Sequence, residues 1–181
     1  SLPSRGLGDV YKRQFLQVLA TDPDNESATQ GLLQITTTVI AQTRQLLEQG
    51  AIGSAQAMID LAEAEGLNAT PIASMREQID SEITRRRQIA VGLEQASVLF
   101  DQGFITAPVG NNALTLLRGV LQLDPGNEQA NTLLGQCANR LAQVAAQARE
   151  ADMLIQARAY LALALSIRPD VEQWQAWEQA W

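Results

Sequence analysis

Histidine is absent from this 181-residue chain. The commonest general base and the commonest transition-metal ligand are therefore both missing. The single cysteine, Cys137, is spaced with Leu133, Leu134 and Leu141 so that it falls on the apolar side of a helix. There it reads as a small core hydrophobe, because a reactive thiol needs a cationic, accessible setting. One thiol cannot form an intramolecular disulfide, and it suits a reducing or an oxidising compartment alike. Gly31, Gly50, Gly53 and Gly66 are scattered and none leads into Lys-Ser or Lys-Thr, as a phosphate-binding loop would. The carboxylate pairs Glu63/Glu65 and Glu150/Asp152 fall near helix ends with no aromatic cleft to desolvate them, so they predict solvated charge instead of acid–base work. Arg85-Arg86-Arg87 is the densest cationic run. An anion site would need more cations on its face, yet Arg85 has Ser81, Ile89 and Gly92 at helical spacing, and Glu82 and Glu94 stand ready to pair. These residues call for no catalytic group, no cofactor and no metal.

Contact residues are what remain. Trp174, Trp177 and Trp181 are all the tryptophans in the chain, and with Val171 they make one apolar stripe at helical spacing. Such a stripe is a partner hot spot, tryptophan being enriched there, or else the face a helix turns to its next neighbour. Either way it predicts a sticky surface with the capacity for self-association. A net charge of −7 argues against duplex nucleic acid and anionic membrane surfaces, which are recognised by clustered Lys and Arg. No apolar run reaches the ~18 residues of a membrane span, so no direct membrane contact is expected.

The elements that must position these residues begin after an odd opening. Ser4 to Gln14, SRGLGDVYKRQ, resembles a translated sequencing adapter. Residues 1–14 are therefore expected to be non-native, with the natural chain starting near Phe15 and its true ends lying outside this sequence. Setting them aside removes Arg5, Lys12, Arg13 and Asp9 and takes the net charge to −9.

Past that point the chain matches itself at an offset of 102 residues, without gaps, from Val18–Ile79 onto Val120–Trp181, with fifteen identities in 62 positions. Asp22, Pro23, Asn25 and Glu26 recur as Asp124, Pro125, Asn127 and Glu128, and Ala55, Ala57, Leu61 and Ala62 as Ala157, Ala159, Leu163 and Ala164. Fixed-period self-similarity marks a repeat architecture in which each unit buries its apolar face on the next. The same alignment sets Trp174, Trp177 and Trp181 on Ile72, Met75 and Ile79, which open a longer helix, so it favours the reading in which the stripe faces a neighbouring helix.

A shorter pattern lies inside that period: Ala55, Ile59, Ala62, Leu67; Ala113, Leu117, Val120, Pro125; Ala157, Leu161, Ala164, Pro169; and, in part, Phe15, Val18, Pro23. Spacings of four and three put these residues on one helical face, where small side chains admit a neighbouring helix. The closing proline cannot continue a helix. Asn25 and Asn127 are placed to cap the next helix, with Glu26 and Glu128 in its first turn. The pattern resembles the second helix of a tetratricopeptide repeat, and Leu123–Asn127 resembles that family's inter-repeat turn. The resemblance implies a bacterial helical-repeat fragment of the all-α class: a right-handed solenoid of antiparallel helix hairpins. It departs from the family in the first helices. Asn25 to Leu67 and Asn127 to Pro169 span 43 residues each against about 34 for a standard unit, so the first helices are expected to be elongated.

Helices are predicted at 26–49, 54–65, 71–102, 111–122, 128–151, 155–167 and 171–181, with breaks at glycines and at the Asp-Pro turns. The β-branched run Thr36–Ile40 threatens a kink in the first of them, but no strand partner is visible, so helix is the reading there too. Hairpins are expected over 25–69, 70–126 and 127–169, flanked by truncated repeats at 15–24 and 170–181. The segment from Gly103 to Leu114 is about five residues longer than the Gly50-to-Ala55 turn needs. It reads as a binding loop or, the favoured reading, as an ordered connection stapled by Phe104 and Ile105 and capped by Asn111 or Asn112, and its form resembles segments of proteobacterial multidomain envelope proteins, which points towards the periplasm or cell envelope. The implied function is a protein-interaction or scaffold module, not an enzyme, that binds a peptide or protein on the surface of its first helices through Gln42, Gln45, Gln95, Gln143 and Gln147, with the tryptophan stripe as a further contact. The alternatives are a structural spacer or oligomerisation stalk, and the regulatory region of a larger enzyme.

Overall fold

The computed structural model describes residues 3–181, with side chains from Val10 onward. Among the described residues there are eight α-helices and no strand: α1 (Pro3–Thr21), α2 (Glu26–Glu48), α3 (Ile52–Ala64), α4 (Thr70–Asp101), α5 (Ala113–Leu123), α6 (Glu128–Glu150), α7 (Leu154–Ile167) and α8 (Glu172–Ala180). The chain is all-α. The seven helices expected from periodicity and punctuation are all present, each end within about two residues of its expected place. α1 is the addition, and it runs unbroken through the adapter-like segment from Pro3; Ser1 and Leu2 lie outside the described residues.

The chain divides into two compact units, residues 1–84 and 85–181, and α4 gives its first part to one and its second part to the other. In the first unit Ala55, Ile59, Ala62 and Leu67 pack with Ile72, Met75 and Ile79 of α4. Arg76 ties α4 to α3, donating to Glu63 at 2.8 Å and to Asp60, and these bonds, Glu63 first, hold its guanidinium above the ordinary arginine pKa. In the second unit the core gathers Ala113, Leu117 and Val120 of α5, Leu133, Cys137 and Leu141 of α6, and Leu161 and Ala164 of α7. Ala55, Ala113 and Ala157, the three small residues expected to face a neighbouring helix, are fully buried.

The turns are duplicated bond for bond. Ala28 N–H donates to Asn25 Oδ1 and Ala130 N–H to Asn127 Oδ1, both at 2.9 Å; Asn25 Nδ2 reaches Asp22 at 3.1 Å and Asn127 Nδ2 reaches Asp124 at 3.0 Å. Each asparagine satisfies one of the four orphan amides at a helix start. Four other helices end with paired backbone bonds closing over a left-handed residue: Gly50, Gly66 and Gly103 at φ 75°, 88° and 83°, and Asp152 at φ 59°. Asp152 is the 102-residue equivalent of Gly50.

The helix expected through the β-branched run Thr36–Ile40 is present: α2 is unbroken there, and Thr37 and Thr38 donate their hydroxyls to the carbonyls of Leu33 and Gln34 one turn back. One local expectation is corrected. Of the two apolar residues expected to staple the loop after α4, Ile105 is buried, whereas Phe104 is half exposed. The loop is ordered by its backbone, Ala113 and Leu114 N–H donating to the carbonyls of Phe104 and Ile105, and by Asn112, which caps α5 through Thr115 N–H at 2.9 Å and donates to Pro108 O.

Candidate partner-binding groove

In the second unit, the outer face of α4 and the turn between α5 and α6 enclose a shallow, open groove of about 760 Å³. α4 supplies Arg86, Ala90, Glu94 and Val98 at four-residue steps, with Ile89, Leu93 and Ser97 beside them. Asp124 and Gln129 close the other wall. Gly92 allows the two walls to approach: a Cβ there would stand 2.7 Å from Val120 Cγ2. Arg85 then holds the far wall in place by donating to the Leu123 carbonyl at the end of α5, at 3.0 Å. The result is an apolar floor with two arginines, Arg85 and Arg86, and two carboxylates around it. Asp124 accepts from Asn127 Nδ2 on one oxygen within the turn.

The residues singled out from sequence are distributed differently. Gln42 and Gln45 are exposed on α2 in the first unit; Gln95, Gln143 and Gln147 are exposed on α4 and α6 in the second; none of the five lines the groove. Gln45 and Gln147 occupy equivalent positions one period apart. The groove residues Ala90, Ser97 and Val98 were not identified from sequence; the available signal was the exposed i, i+4 and i+8 run from Arg86 to Glu94, continued by Val98. Trp174 is buried in the core of the second unit, with Arg168 5.9 Å above its ring. Trp177 and Trp181 pack against the edge of that core and stack on each other, centroids 5.3 Å apart and planes 12° from parallel.

Several of the remaining ionisable groups are held in structural contacts. Cys137 is fully buried, and burial pushes its thiol up to about 11, away from reactivity. Glu63 and Glu65, read from sequence as solvated charges, are ion-paired with Arg76 and Lys12. Arg85 is a positioning residue for the α5 end and not part of a free cationic face. Among the described residues no three histidine, cysteine, aspartate or glutamate side chains converge as metal ligands would, and no helix is long and apolar enough to cross a membrane. No protein-family model, curated protein or solved structure matches the chain.

Proposed function

We propose that the chain is a tetratricopeptide-like protein-interaction module, a right-handed solenoid of helix hairpins with elongated first helices, which binds a peptide or protein segment and performs no catalysis itself. The hairpins support the architectural part: α2 and α6 have 23 residues each, their partners α3 and α7 only 13 and 14, and each short helix buries its alanine seam. The observation that carries the functional part is the groove. It lies on α4 and α6, both long helices, and offers Ile89, Ala90, Leu93 and Val98 as an apolar floor with Arg86 and Glu94 to fix the direction of a bound segment. A few apolar contacts with polar groups at the rim are what peptide recognition by a helical surface requires.

The test is a random-peptide display selection on the full chain, followed by titration of the selected peptides. Ala90→Arg combined with Val98→Glu alters two exposed positions, so the variant keeps its fold. Peptides of micromolar affinity that weaken about tenfold or more on the variant, a loss of about 1.4 kcal/mol, are expected. Failure to enrich binders, or binders indifferent to the variant, would overturn the reading.

A further inference from the structure

The charges of the groove are ordered along α4. Arg85 and Arg86 stand at one end, and Asp124 belongs to that end too, since it follows Leu123, whose carbonyl accepts from Arg85. Two cations against one carboxylate leave this end net positive. Glu94 stands about two turns further on, exposed and without an ion-pair or hydrogen-bond partner among the described residues. Midway between Arg86 and Glu94 lies Ala90, exposed and with no atom beyond its Cβ, beside Ile89 and Leu93. The wall thus presents a positive end, an apolar depression and a negative end in that order.

The section of the groove suits an extended occupant. From Arg85 to Val98 the helix runs about 20 Å, and a volume of about 760 Å³ spread over that length gives a section of roughly 40 Å². A strand needs about 5 Å by 10 Å, whereas a helix with its side chains is about 10–12 Å across, a section of roughly 80 Å² or more. Arg86 and Glu94 are about 12 Å apart along the axis, which an extended chain at about 3.3 Å per residue spans in about four residues, and residues i, i+2 and i+4 of a strand point the same way. Given that the groove is a peptide site, we propose that it selects an extended segment of the form acid, any residue, large apolar residue, any residue, base. The acid lies against Arg86, the apolar side chain over Ala90 and the base against Glu94. A guanidinium has five N–H donors, enough for contacts within the chain and for a carboxylate of the segment.

The probes are three synthetic peptides, Asp-Ser-Leu-Ser-Lys, Asp-Ser-Leu-Ser-Asp and Lys-Ser-Leu-Ser-Lys, each between glycine flanks and labelled for fluorescence anisotropy, titrated into the full chain at low salt. The mixed peptide is expected to bind about threefold or more tighter than either like-charged one, with the margin shrinking in high salt. On a Glu94→Lys chain the doubly acidic peptide is expected to become the tightest, and on an Arg86→Glu chain the doubly basic one. Both positions are exposed, and circular dichroism checks that each variant keeps its helices. Arg44→Glu, at an exposed position of the first unit, changes the net charge equally and is expected to leave the order of the three peptides unaltered, which separates recognition from the general attraction of a chain of net charge −7 for cations. An order that does not follow the two reversals overturns the proposal; if Ala90→Arg with Val98→Glu still weakens display-selected peptides, the groove remains a peptide site without this charge preference. Absence of saturable binding by all three peptides overturns the proposal as well, and the selected peptides then decide whether the peptide-site reading falls with it.

Discussion

Asp152 adopts the left-handed conformation that glycine adopts at every other turn of its type here, Gly50 included. A side chain in that region costs energy that glycine avoids, and glycine's own entropic cost offsets only part of it. Asp152→Gly is expected to raise stability by about 0.5–1 kcal/mol, read as a higher urea midpoint. Gly50→Ala should lower it. Cys137 makes a pH prediction. The unfolded thiol ionises near 9.0 and the buried one near 11. Between these values the unfolded chain releases a proton that the folded chain retains. Stability therefore falls as pH rises from about 9 to about 11, by an amount on the order of 2 kcal/mol, and Cys137→Ala removes that part of the slope in urea melts. Neither residue's behaviour was fully legible in the sequence. The burial of Cys137 followed from the leucines around it, whereas nothing in Ala-Asp-Met announces a left-handed aspartate until Gly50 is set beside it.

At the scale of the element, the helix boundaries were legible because they are punctuated by residues with one local job. Asn25 and Asn127 cap, Pro23 and Pro125 stop, and glycine closes. Removing a cap should cost about 1 kcal/mol: Asn127→Ala is expected to lower the urea midpoint with the slope unchanged, and Asn25→Ala to do the same. The groove was not legible, since it depends on how closely α4 meets α5, and that is decided by Gly92 against a stiff valine. The full length of α1 is not legible in the sequence, because residues 3–14 carry none of the alanine-seam pattern that marks the other short helices. Side-chain volume across duplicated interfaces could also be seen only in three dimensions. Phe15 fills the space above Gly31, with a Cβ there falling 2.4 Å from its ring, while the equivalent pair in the second unit is Leu117 and Leu133. Large against none and medium against medium are two ways to fill one gap.

For the whole molecule, the two units are unequal. The core cluster of the second holds seventeen buried residues among those described and that of the first holds seven. Native-state hydrogen exchange is expected to find the slowest amides in α5, α6 and α7, with those of α2 and α3 opening at lower free energy. Equal protection in α2 and α6 would contradict that ordering. The alternating long and short helices were visible in the sequence as a 43-residue spacing, because a repeat writes the same packing problem twice.

The paired turns at Asp22–Asn25 and Asp124–Asn127 have an evolutionary consequence. Because their capping and turn bonds coincide, crossing-over between the two gene segments that encode them would delete or add one 102-residue cassette and still join the backbone in register. The excision would set Phe15 opposite Leu133, two large side chains in a gap shaped for one. A shortened descendant should therefore carry a compensating small residue at one of those two positions, a scar by which such an event could be recognised.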